Sequence, residues 1–89
     1  MLQQQITIIN KLGLHARAAA KFVSCTSAFS SAIRVGQNGQ MVDGKSIMAV
    51  MMLAAAKGTV LDIEIEGADE QDAMSALTEL IENRFDEGE

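Results

Sequence analysis

The chain contains a single histidine, His15, with an arginine two residues later at Arg17. His15 follows Gly13-Leu14 and precedes Ala16-Arg17-Ala18-Ala19-Ala20, where the alanines predict a helix. A side chain at the mouth of a helix sits beside backbone N–H groups that have no intrahelical partner, at the positive end of the macrodipole. Such an end is an anion site. The amides of Ala16, Arg17 and Ala18 would face a group carried on the ring, and the Arg17 guanidinium can fork onto phosphate oxygens. The same positive end disfavours a second positive charge on the ring and so leaves a nitrogen lone pair for attack. The chemistry implied is transient nucleophilic capture of an anionic group. No second histidine, cysteine pair or carboxylate cluster lies nearby in sequence, so no metal site is expected, and no Ser–His–acid arrangement can be identified.

A second stretch invites chemistry. Gly39-Gln40-Met41-Val42-Asp43-Gly44-Lys45-Ser46 matches the phosphate-loop pattern G-x-x-x-x-G-K-S. The stretch is not glycine-rich, however, and Met41-Val42 reads as strand. A chain of 89 residues also leaves little room for the parallel sheet, metal ligands and base pocket of a nucleotide-hydrolysing enzyme, so that reading is rejected. Ser46 reads instead as a helix N-cap. The helix it opens carries Ile47, Met48, Met51 and Met52; a helix apolar all round buries one side and offers the other to something else.

The elements that must hold these residues follow from pattern. Gln5 to Ile9 reads as a β-branched strand with Ile6 and Ile8 on one face. Asn10 to Leu14 is a loop, and a helix from Ala16 carries Ala19, Phe22, Val23 and Thr26 at helical spacing. The serine-rich stretch Ser27 to Ser31 ends it. Ala32 to Val35 and Gln40 to Val42 are strands around an Asn38-Gly39 hairpin turn. The apolar run Ile47 to Ala56 predicts a helix stopped by Lys57-Gly58. Val60 to Glu66 alternates, with Leu61, Ile63 and Ile65 opposed to Asp62, Glu64 and Glu66, as in an antiparallel sheet covered on one side. Asp69 is expected to cap a last helix with Glu70 and Asp72 in its first turn and Ala73, Leu77, Leu80 and Ile81 as its apolar stripe. Asp86 to Glu89 reads as a frayed tail. The order β-α-β-β-α-β-α is a two-layer α+β sandwich.

Composition narrows the function classes. One domain spans 1–89, with 48% hydrophobic residues to fill a core that lacks Trp and Tyr. The net charge of −5 argues against a nucleic-acid partner. The charge is also uneven. Residues 1–58 hold six of the seven Lys and Arg with Asp43 their only acid, while residues 59–89 hold eleven acids against Arg84, so the front half can attract an anion or an acidic surface. Cys25 is alone and excludes an internal disulfide; it reads as an inert, buried thiol. With no secretory pattern and no long apolar run, a cytoplasmic protein that does not enter a membrane is expected.

Asn10-Lys11-Leu12-Gly13-Leu14-His15-Ala16-Arg17, continuing Ala18-Ala19-Ala20-Lys21-Phe22-Val23, closely resembles the active-site segment of the HPr family, the histidine-containing phosphocarriers of the phosphoenolpyruvate-dependent phosphotransferase system. Gly44-Lys45-Ser46-Ile47-Met48 resembles that family's second signature, at matching separation. The resemblance covers nearly the whole chain. It implies an open-faced β-sandwich, a four-stranded antiparallel sheet in the order 1-4-2-3 with three helices on one face. It implies that His15 Nδ1 takes a phosphoryl group from enzyme I and passes it to a IIA domain, with Arg17 assisting. The protein would need no cofactor and would act as a monomeric relay, not a self-sufficient catalyst. Ala20, Ile47, Met48 and Met51 would form the docking surface with Ala16. Ser46 would be a regulatory phosphorylation site where a cognate HPr kinase/phosphorylase exists, and a binding module controlled by Ser46 is the alternative function.

Two departures from the family stand out. Ala18 occupies the position usually held by proline, which restores an N–H donor and suits the helix. Ser24, Ser27 and Ala49 stand where members with a basic rim carry lysine, leaving Lys21 and Lys45 beside Arg17. Docking to an acidic partner is therefore expected to be differently tuned, and both departures lean toward the nitrogen-related branch over sugar uptake.

Overall fold

Side chains on a strand alternate between faces, and in β4 (Val60–Glu66) Leu61, Ile63 and Ile65 are buried whereas Asp62, Glu64 and Glu66 are not. In the computed structural model, which describes residues 1–87, this strand lies inside an antiparallel sheet. It pairs with β1 (Leu2–Thr7) on one side and β2 (Ala32–Gln37) on the other, and β3 (Gln40–Asp43) pairs with β2 to give the order β1-β4-β2-β3. Helices α1 (Ala16–Thr26), α2 (Ile47–Met52) and α3 (Glu70–Glu82) cover the apolar face, leaving the other open. The expected α+β open-faced sandwich is the observed architecture.

The hairpin between β2 and β3 turns through Asn38 (φ 54°) and Gly39 (φ 82°). Positive φ at both central residues gives a turn whose twist matches the strands. The eight residues that match the phosphate-loop pattern are therefore a hairpin tip, an antiparallel edge strand and a bend, with no strand–loop–helix cradle.

The strands β2 and β3 run slightly past expectation, to Gln37 and Asp43, and three larger differences each have a tertiary reason. The first strand begins at Leu2, not Gln5, and ends at Thr7. Gln3 and Gln5 line the open face, where Gln3 Nε2 donates to Glu64 (3.3 Å) and Gln5 Nε2 to Asp62 (2.9 Å). Ile8 lies beyond the ladder but stays paired, its N–H donating to the Thr59 carbonyl and its carbonyl accepting from the Gly58 N–H, both at 2.8 Å. The second helix stops at Met52 instead of running to Ala56. Gln37 Nε2 takes the Leu53 carbonyl (2.6 Å) and the Leu14 N–H takes that of Ala55 (2.8 Å), while Ala54 turns into the left-handed region at φ 51°.

Asp69 stands at the N-cap of α3, but its side chain does not cap the helix. It reaches across to the end of the serine-rich stretch instead, accepting the backbone N–H groups of Ser30 (2.9 Å) and Ser31 (3.0 Å) and both hydroxyls.

The third difference is the tail. Gly88 and Glu89 lie outside the described residues, but Asp86 and Glu87 are folded, not frayed. Arg84, Phe85 and Asp86 take φ of 54°, 53° and 61°, three successive left-handed residues. Such residues cost roughly 1–2 kcal/mol each. The turn is held by full burial of Phe85, by Lys21 Nζ donating to the Phe85 carbonyl (2.7 Å) and by Asn83 donating to Asp86.

Helix α1 buries Ala18, Ala19, Phe22 and Thr26, and α3 buries Ala73, Met74, Leu77 and Ile81. Val50 is the residue that α2 buries. The core therefore anchors α1 firmly by its inner face, and the His15 loop is set against that anchor.

Candidate functional site

The loop ahead of α1 is fixed by a close approach. Gly13 takes φ 66°, and a Cβ there would lie 2.3 Å from the Ala55 carbonyl oxygen. Only glycine tolerates both conditions. Fully buried Asn10 donates through Nδ2 to the Gly13 carbonyl (2.8 Å), and the Leu14 N–H donates to Ala55 (2.8 Å). With Leu14 buried, the next residue emerges at the surface as the helix N-cap.

That residue is His15, extended at φ −77°, ψ −179°, its carbonyl accepting the Ala19 N–H (2.8 Å). Its ring does not cap the helix, and among the described residues no other side chain accepts from the amides of Ala16, Arg17 or Ala18. The amides of Ala16, Arg17 and Ala18 are thus the open donors of the first turn. Ala16 and Arg17 are exposed, and Arg17 makes no ion pair among the described residues. His15, Ala16 and Arg17 share an open cleft of about 470 Å³ with Lys11, Leu12 and Glu87.

Glu87 was not legible in the sequence. Its Oε2 is hydrogen-bonded to His15 Nε2, and its Oε1 accepts from Asn10 Nδ2 (3.1 Å). Burial alone would raise the Glu87 carboxyl, but the hydrogen bonds from Asn10 and His15, with the charges of His15 and Lys21, hold it below the usual carboxylate range. Among the described residues no hydrogen bond engages His15 Nδ1. One ring nitrogen is committed to the carboxylate, and the other is left without a hydrogen bond among the described residues, on the residue that forms the N-cap of α1.

The expected docking residues are exposed. Met48 (74%), Ile47 (44%) and Met51 (40%) protrude from α2, and Ala20 is exposed on α1. Two apolar residues outside the expected docking set are also exposed, Leu12 (66%) on the His15 loop and Met52 (79%), which the sequence places in the apolar cluster of α2. Lys21 and Lys45 both bond backbone carbonyls, Phe85 and Phe29, each at 2.7 Å, so the reduced basic rim is further committed to structure. Ser46 caps α2 as expected, its Oγ accepting the Ala49 N–H (3.2 Å). Cys25 is half-buried, and burial pushes its thiol up. Among the described residues no three His, Cys, Asp or Glu converge as metal ligands, and no helix is long and apolar enough to cross a membrane.

Comparison with known proteins is consistent along the chain. A family model described as the PTS HPr component phosphorylation site matches residues 2–83. The phosphocarrier protein HPr of Pseudomonas aeruginosa is 65% identical over 86 residues, covering 96% of each chain. That of Neisseria meningitidis serogroup A is 61% identical over 89 residues, all of both chains. Among solved structures, HPr-C-His from Thermoanaerobacter tengcongensis superposes with a TM-score of 0.94 at 47% identity, covering 98% of each chain. A structure described as an HPr dimer from the same organism superposes at 0.76, with 47% identity over 96% of this chain and 98% of that one.

Proposed function

This chain belongs to the HPr family of phosphotransferase-system phosphocarriers, and on that premise we propose that His15 Nδ1 is its phosphoryl-accepting atom. The group comes from phosphoenolpyruvate-charged enzyme I and passes on to a IIA domain. The observation that carries this reading is the pairing of an unengaged Nδ1 with an uncapped helix end. Phosphoryl transfer asks a protein mainly for positioning and charge neutralisation. The amides of Ala16, Arg17 and Ala18 receive the phosphoryl oxygens, and the free Arg17 guanidinium adds a fork. A helix end contributes roughly 0.3–2 kcal/mol toward an anion, which holds the group without trapping it.

One HPr-like domain over 1–89 does this work as a monomer in the cytoplasm, docking through Ala20, Ile47, Met48 and Met51. Ala18 and the depleted basic rim favour nitrogen or metabolic regulation over sugar uptake. The test is labelling: phosphoenolpyruvate with enzyme I places acid-labile phosphate on the protein, and His15→Ala abolishes it. Label that persists in the variant excludes the reading. Comparing the sugar and nitrogen enzyme I paralogues as donors assigns the branch.

A second reading rests on Ser46, which is partly exposed at the start of α2. A phosphate there adds negative charge beside Ile47 and Met48 and slows docking, which makes the protein a regulatory module. That reading expects a complex with a regulator that survives His15→Ala.

A further inference from the structure

We propose that Glu87 is a positioning residue for phosphoryl transfer: its carboxylate holds the proton of His15 on Nε2 and turns the Nδ1 lone pair toward the open end of α1. The inference deepens the function proposed above and rests on it. Glu87 itself lies outside both sequence motifs and outside residues 2–83 matched by the family model.

The carboxylate is gripped from several sides. Oε2 takes Nε2 of the ring, and Oε1 takes Nδ2 of fully buried Asn10. Asn10 is itself oriented, because the same Nδ2 donates to the Gly13 carbonyl. Reversing that amide would set its oxygen against a carbonyl and a carboxylate. The backbone leading to Glu87 is the left-handed turn Arg84–Asp86, anchored by buried Phe85 and by Lys21. Three strained residues followed by a bonded glutamate form a built element, since such conformations persist only where their surroundings enforce them.

A carboxylate accepts hydrogen bonds and cannot donate them. Facing Nε2, it therefore selects the ring form with the proton on Nε2 and the lone pair on Nδ1. In the transfer step Nδ1 attacks phosphorus, the N–P bond forms, and the donor's bond to phosphorus breaks with its electron pair returning to the donor. Nε2 keeps its proton, so the ring gains a positive charge, which Glu87 faces. When the acceptor takes the phosphoryl group, the N–P pair returns to Nδ1 and that charge disappears. Glu87 contacts only the nitrogen that does not react, so it acts through His15.

The test is nitrogen-15 NMR of the His15 ring in the unphosphorylated protein at alkaline pH, alongside steady-state transfer from enzyme I. The wild type should show the Nε2-protonated form, and Glu87→Ala should lower the tautomer ratio about tenfold, the weight of one charge-assisted hydrogen bond. Glu87→Gln should fall between, because its amide oxygen can accept from the ring or from Asn10 but not satisfy both as the carboxylate does. The kcat for phosphorylation should fall in the same order, with KM for enzyme I unchanged. Lys21→Met, which frees the turn without touching the ring, should shift the tautomers in the same direction. Unchanged tautomer ratios in the Glu87 variants overturn the proposal, as does a shifted ratio with an unchanged rate. Label retained in His15→Ala would instead overturn the phosphocarrier reading, whatever the NMR shows.

Discussion

The Asp69 carboxylate grips Ser31, accepting both its N–H (3.0 Å) and its hydroxyl, and so ties the start of α3 to the start of β2. Ser31 is buried and the loop around it otherwise has little regular structure. The hydroxyl of Ser31, then the amide of Ser30 and the remaining bonds outweigh burial and lower the Asp69 carboxyl from the ordinary 3.8 to about 2.

A carboxyl depressed in the folded state stabilises it fully above the unfolded pKa, and that contribution is lost as pH falls through the folded one. For Asp69 the loss runs from about 3.8 down to about 2. Urea midpoints measured across this range should fall in the wild type. In Asp69→Asn the midpoint should start lower at neutral pH and vary less between those limits.

Ser46 permits a sharper test of a local feature. Its hydroxyl is the side-chain cap of α2, accepting from Ala49. Ser46→Ala should cost about 0.5–2 kcal/mol in urea unfolding, as for other caps. Ser46→Asp keeps an acceptor at the cap and should recover most of that loss while adding a charge next to the exposed Ile47 and Met48. If alanine and aspartate destabilise equally, the hydroxyl is not acting as a cap.

Features such as the Ser46 cap were legible because they are local. The Asn38-Gly39 turn needs only its own two residues, and the alternation of β4 needs only one buried face. What stayed hidden depends on partners far along the chain. The early stop of α2 follows from Gln37 and Leu14 claiming carbonyls that an uninterrupted apolar run gives no reason to release. The start of β1 follows from Gln3 and Gln5 meeting Glu64 and Asp62, which no apolar alternation reveals. At the site, His15, Arg17 and the open helix end could be read from spacing. Glu87 could not, because an acidic stretch resembles a solvated tail until Phe85 is seen to be buried.

Arg17 and Met48 should separate chemistry from docking. Both are exposed, so neither substitution should change stability by more than about 0.5 kcal/mol. Arg17→Ala removes a charged fork from the cleft Arg17 shares with His15 and should lower kcat for transfer about tenfold or more, with a smaller effect of Arg17→Lys. Met48→Glu places a charge in the apolar patch and should raise KM for enzyme I with kcat nearly unchanged. Steady-state transfer at several enzyme I concentrations distinguishes the two, and identical effects on both constants would contradict the division.

Gly13 links the fold to the site. The turn at φ 66° presses against Ala55, and a methyl group there would meet the Ala55 carbonyl oxygen at 2.3 Å and the Ala56 Cα at 2.8 Å. Both are backbone atoms, so no side chain can swing aside. The left-handed conformation adds its own cost, and Gly13→Ala should destabilise the protein by about 1–3 kcal/mol. The clash also pushes on the Leu14–Ala55 hydrogen bond and on the Gly13 carbonyl that holds Asn10. Since Asn10 orients Glu87 and Glu87 meets the ring, the substitution should slow phosphorylation beyond any loss of folded protein. The check is phosphorylation rate per folded molecule, with the folded fraction taken from urea curves under the assay conditions. A rate that matches wild type after this correction would mean the loop before His15 merely supports the fold and does not aim the ring.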